Sequence, residues 1–114
     1  MGEMKKCVRC LELFDKIISS LIYAEAYSNE GSPTAGFWFG SASSAIKMAS
    51  EETCFPRELA EFLRKDADEG SDAVARGEWD KASFLASRVR TDALVNMVPH
   101  LIEICRRGVR GKRH

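Results

Sequence analysis

From Glu3 to Asn29 the chain contains neither Gly nor Pro. These two residues interrupt helices most strongly, so a stretch of this length without them is free to run as one helix. Its apolar spacing agrees. Met4, Cys7, Val8, Leu11, Phe14, Ile18, Leu21 and Ile22 recur at helical intervals, with Cys10, Leu13, Ile17 and Ala24 beside them. This predicts a helix over Gly2–Asn29, about 40 Å long at 1.5 Å per residue, with an unusually wide apolar face. A small monomer can hardly cover all of that face. The helix is expected to lie between others or to join copies, giving a homodimer or homotetramer.

Asn29-Glu30-Gly31-Ser32-Pro33 stops this helix. Gly31–Gly40 then reads as a loop with Phe37-Trp38-Phe39 at its end. Ser41–Glu52 reads as a short second helix using Ala42, Ala45, Ile46 and Ala49, and Thr53-Cys54-Phe55-Pro56 breaks it. Pro56 suits the first turn of a third helix running to Arg76, and Gly77 suits its C-terminal cap. Glu78-Trp79-Asp80 opens a fourth helix, which Pro99 can kink and which ends near Arg107. The expected fold class is all-α, with four main helices in one bundle over residues 1–107 and a disordered basic tail over 108–114. There is no repeat, strand alternation or internal linker.

Composition narrows the function classes. Of 114 residues, 17 are Lys or Arg and 17 are Asp or Glu, so the net charge is zero and a general nucleic-acid partner is not expected. No run of about 18 apolar residues exists, so no membrane partner is expected. After Lys5 and Lys6 the apolar residues are broken by Arg9, Glu12, Asp15 and Lys16, unlike a secretory segment. The expected location is therefore cytoplasmic, with the four Cys as thiols rather than a disulfide framework. Cys7-x-x-Cys10 is a lone pair that fits the apolar face of the first helix, since Cys54 and Cys105 form no second C-x-x-C. His100, after Pro99, is expected to be a hydrogen-bonded structural residue.

Charge is also segregated. Residues 51–80 hold ten acids and four bases, whereas 106–114 hold five bases and no acid. On the third helix the apolar stripe is read through Leu59, Leu63, position 66, Gly70 and Val74, so Asp66 faces inward and Glu69 borders it. A carboxylate in that position needs a cation, a donor or a proton. On the fourth helix, Leu85, Val89, Ala93 and Met97 form one apolar flank. Phe84, Val95, Val98 and Ile102 form the other, and Lys81, Arg88, Asp92 and Asn96 a narrow polar stripe. An antiparallel hairpin across Gly77 would bring Asp66 and Glu69 toward Asp92 and Asn96, a hard-oxygen set suited to Mg²⁺. The alternative is ordinary solvated acids, with Arg88 and Asp92 as an i,i+4 surface pair.

Three segments resemble the all-alpha NTP pyrophosphatases (MazG-like proteins, with dimeric dUTPase and dCTPase relatives). Pro56-Arg57-Glu58-Leu59 through Asp66-Ala67-Asp68-Glu69 looks like the helix carrying that family's E-x-x-E, with Asp66 for its first Glu. Gly77-Glu78-Trp79-Asp80 is similar to the acidic joining turn, and Thr91-Asp92-Ala93-Leu94-Val95-Asn96 to the second motif. Glu69-x-x-Asp72 is an alternative register for the first motif, and Val89 stands where the family carries a second-motif Glu. The resemblance implies a divergent Mg²⁺-dependent nucleoside triphosphate pyrophosphohydrolase. Asp66, Glu69 and Asp92 would be metal ligands, and Glu69 would also orient the water. Asn96, Arg88 and Lys81 would bind substrate, and Trp38 would stack on the base. The competing expectation is a non-catalytic helical interaction or nucleotide-binding module that kept the fold and lost the site.

Overall fold

The opening segment folds as one uninterrupted helix, α1 (Gly2–Asn29), because nothing in it breaks the backbone ladder and its apolar side meets two neighbours. The structure, a computed structural model, describes residues 2–112. The remaining helices are α2 (Thr34–Glu51), α3 (Arg57–Ala75) and α4 (Trp79–Lys112). Each packs on the two beside it, α1 on α2 and α4, and α3 on α2 and α4, which closes an antiparallel four-helix ring. Among the described residues no helix is long and apolar enough to cross a membrane.

The three turns share one device, a residue in the left-handed region just past each helix. Gly31 (φ +67°) and Gly77 (φ +71°) occupy it after α1 and α3. Thr53 (φ 57°) occupies it after α2, where a β-branched residue is strained. In each turn the next residue's N–H donates back across the helix end: Ser32 to Tyr27, Cys54 to Ala49 and Glu78 to Ala73.

Two expected boundaries move. The loop expected over Gly31–Gly40 is helical from Thr34, because Ala35, Phe39, Ala42, Ile46 and Ala49 form one continuous buried stripe. Burial of that stripe outweighs the roughly 1 kcal/mol that Gly36 and Gly40 each cost a helix. The fourth helix, expected to end near Arg107, continues to Lys112. Gly108 lets it do so against α1, since a β-carbon there would stand 3.1 Å from the Met4 α-carbon. The basic tail expected to be disordered is therefore helical over 108–112, and its last residues, 113–114, lie outside the described residues. Pro99 lies within α4.

Small side chains bring the helices close. One end of the core joins Leu13, Ile17 and Leu21 to Ile46, Leu63, Val89 and Met97, with Ala42, Ala45, Ala49, Ala60 and Ala93 between them. At the other end Phe39 is surrounded by Ala24, Ala35, Ala73, Val74, Ala82 and Ala86. A β-carbon on Gly70 would overlap the Phe39 ring, with its Cζ at 2.6 Å.

The expectation of four thiols is corrected. Cys7 is bonded to Cys105, and Cys10 to Cys54, leaving no free cysteine. Cys7 and Cys10 lie three residues apart on one face of α1, yet α4 and the α2–α3 turn flank that face from different sides. The C-x-x-C spacing therefore sends its two sulfurs to different elements, a pairing that residue spacing cannot reveal. The bridges close loops of sequence separation 98 and 44. In the chain-entropy model each alone is worth roughly 4–5 kcal/mol.

Candidate functional site

The α3–α4 hairpin holds the acids singled out by the sequence. The buried line of α3 runs through Ala60, Leu63, Ala67, Gly70 and Val74. Position 66 is thus one place off the centre expected for it, on the flank turned toward α4. The Asp66 side chain is still only 14% exposed. Arg88 crosses from α4, its Nε 3.6 Å from Asp66 Oδ2 and 4.0 Å from Asp92 Oδ2. One guanidinium therefore sits between the two aspartates. Glu69 faces a different cation, with Lys81 Nζ at 3.2 Å from its Oε1. Asn96 donates from Nδ2 to the carbonyl of Asp92, at 2.8 Å, one turn back on its own helix.

These residues do not fit a Mg²⁺ ion. Octahedral Mg²⁺ needs oxygens near 2.1 Å on several sides. Among the described residues no group of three or more His, Cys, Asp or Glu side chains stands where it could hold a metal. Asp66 and Asp92 converge as the hairpin argument expects, but onto Arg88, while Glu69 is drawn away by Lys81. Position 89 supplies no further oxygen, because the valine side chain has none, and Val89 is completely buried in the core. Chemically the arrangement is a chain of cross-helix ion pairs that neutralises the inner edge of the acidic segment.

Trp38, the residue suggested for base stacking, is half-buried on α2. Its ring stacks on Tyr23 of α1, with centroids 4.7 Å apart, and meets the edge of Phe37 at 5.0 Å. The neighbouring Phe39, not Trp38, is the core anchor.

Two features lie outside that hairpin. The first is apolar. Phe84, Val95, Ile102 and Val109 on α4 are exposed, Val95 by 65%, and they recur with Val98 at the spacing of a coiled-coil seam. Val8, Leu11 and Ile22 are exposed on α1, with Ile18 in line between them. The Cys7–Cys105, Glu25–Arg90 and Asn29–Ser83 contacts set the antiparallel register. That register puts Leu11 level with Ile102 and Ile18 level with Val95. The sequence showed the second apolar flank of α4 but not that it faces outward.

The second feature is a cleft of about 460 Å³ between the α2–α3 turn and the last third of α4, lined in part by Thr53, Phe55, Arg57, His100 and Arg107. Sequence spacing carried no signal for it, because its walls come from distant segments. His100, expected to be hydrogen-bonded, is exposed there and meets the edge of Phe55 with ring centroids 6.5 Å apart.

Comparison with protein-family models, curated proteins and solved structures gives no match to this chain.

Proposed function

We propose that this protein is a non-catalytic helical interaction module that associates with a second copy of itself through the outer faces of α1 and α4. The apolar seam along α4 carries the reading. From Phe84 to Val109 it extends about 38 Å at 1.5 Å per residue. With the adjoining α1 stripe it is two helices wide, about 18 Å at usual helix separations. The α1 stripe, from Val8 to Ile22, is shorter at about 21 Å, so a pair of such faces would bury on the order of 1,000 Å², the lower limit for a specific interface. The two disulfides favour an oxidising compartment over the cytoplasm. Sedimentation analysis of the oxidised protein is expected to give a dimer at micromolar concentration. A monomer at every concentration would overturn the reading.

A second reading is the divergent nucleoside triphosphate pyrophosphohydrolase: the approach of Asp66 and Asp92 across the hairpin is in its favour, and Arg88, which now pairs with both, is against it and would have to leave them. A pyrophosphate-release assay over the common NTPs and dNTPs with Mg²⁺ or Mn²⁺ separates the two. Turnover abolished by Asp66→Asn supports the enzyme, and no turnover supports the interaction module.

A further inference from the structure

At the end of the bundle farthest from Gly31 and Gly77, the cleft beside the α2–α3 turn is a candidate binding site independent of the self-association face. Its volume of about 460 Å³ falls within the range of small-molecule sites. Phe55 and Ile104, each 4% exposed, and Cys54 supply an apolar floor. Arg57, His100, Glu103 and Arg107 supply its ionisable lining. We propose that this cleft binds a compact organic phosphate, a phosphate monoester carrying a small apolar body.

Charge is the first reason. Two guanidinium groups and one carboxylate line the cleft; that carboxylate, Glu103, has Arg106 at 3.8 Å, and Glu3 and Lys6 together border a smaller depression on the other side of Arg107. Among the described residues no carboxylate lies within ion-pair distance of Arg107. Arg57 is paired with Glu61 at 3.1 Å, but both side chains are well exposed. Such a surface pair contributes little and yields readily to a stronger anion.

Geometry favours phosphate over carboxylate. Arg57 starts α3 and Arg107 lies on α4, so the two planar forks come from opposite walls. A single fork can engage both oxygens of a carboxylate, whereas a phosphate monoester offers a third terminal oxygen and a charge of about −2, which matches two guanidinium groups. His100 adds a further ring N–H donor, and its ring with that of Phe55 forms an aromatic corner for the apolar body.

The wall is also fixed before any ligand arrives. The Cys10–Cys54 bridge ties the turn to α1, and Lys6 Nζ donates to Thr53 Oγ1 at 2.7 Å. The same hydroxyl donates to the Glu52 carbonyl at 2.7 Å, which locks the turn residue. A site ordered in advance loses little freedom on binding.

The test is a titration of the oxidised, isotope-labelled protein with phenyl phosphate at low ionic strength, followed by amide ¹H–¹⁵N spectra. Saturable shifts centred on Thr53, Phe55, Arg57 and Arg107 are expected. Arg107→Gln and Arg57→Gln, both at exposed positions, should each weaken binding about tenfold, while Arg76→Gln, beside Gly77 at the opposite end of the bundle, should not. Benzoate should bind at least about tenfold more weakly than phenyl phosphate. The proposal is overturned if no saturable shift appears up to about 10 mM, if Arg107→Gln binds as the parent does, or if benzoate binds equally well.

Discussion

The Phe39 ring occupies the space in which a β-carbon on Gly70 would stand. Gly70 lies in the interior of α3, where glycine costs a helix roughly 1 kcal/mol relative to alanine. Here the missing side chain lets the largest fully buried residue of the protein reach the α3 backbone. Gly70→Ala should therefore destabilise despite its better helix propensity. Overpacking of this kind costs about 1–3 kcal/mol, and the better helix propensity returns about 1 kcal/mol, leaving a net loss of up to about 2 kcal/mol. Urea unfolding would show it as a lower midpoint with an unchanged slope, and an unchanged or higher midpoint would contradict the packing.

Trypsin can read the disulfide pairing directly, because Arg9 stands between Cys7 and Cys10. A non-reduced digest should hold Cys7 with the Cys105 peptide and Cys10 with the Cys54 peptide. Removing the second bridge by Cys10→Ala with Cys54→Ala should cost about 2–4 kcal/mol. Calorimetry should then show the thermal midpoint lowered by roughly 10 °C or more. A peptide linking Cys7 to Cys10 would refute the arrangement.

Arg90 of α4 and Glu25 of α1 form a cross-helix ion pair, each side chain about three-quarters buried. Arg90→Met should destabilise by about 1–2 kcal/mol, because it leaves a largely buried carboxylate without its partner. Adding Glu25→Gln to that variant should recover part of the loss. The coupling is measurable by a double-mutant cycle in denaturant.

Val95→Glu and Ile102→Glu place charges on the outward seam of α4 and touch none of the core. Each should leave the monomer's helix content and unfolding midpoint within about 0.5 kcal/mol of the parent. Both should shift sedimentation from dimer to monomer, since a charge buried at an interface is costly. Loss of folding along with assembly would instead place these residues in the core.

Much of the bundle was legible in the residues. The glycine-free opening run gave α1 its full bounds, and Pro56 and Gly77 marked both ends of α3, because these residues act on the backbone locally. What spacing could not show came from contacts between helices. Gly36 and Gly40 argued for a loop, and only the burial of Phe39 against α3 overrides them. On α3 the wheel placed Asp66 at the centre, whereas the buried line follows Ala67 one place later. A small residue there allows close packing and lets the acid reach Arg88 from the flank. The partners of Asp66 and Glu69 were themselves among the named residues, but as aids to a substrate rather than as the cations that neutralise them. The cysteine pairing and the cleft join segments dozens of residues apart, where no local signal exists.

The Cys7–Cys105 bridge has a mechanical consequence. A tether attached before Cys7 and another beyond Cys105 would pull on each other through sulfur, across α-carbons 4.8 Å apart. The helices between would carry no load, so stretching the oxidised protein would not unravel the bundle. Reduction would pass the tension to the fold and release 98 residues of slack, roughly 330 Å of extended chain. The protein is thus a short, inextensible link when oxidised and a long compliant one when reduced.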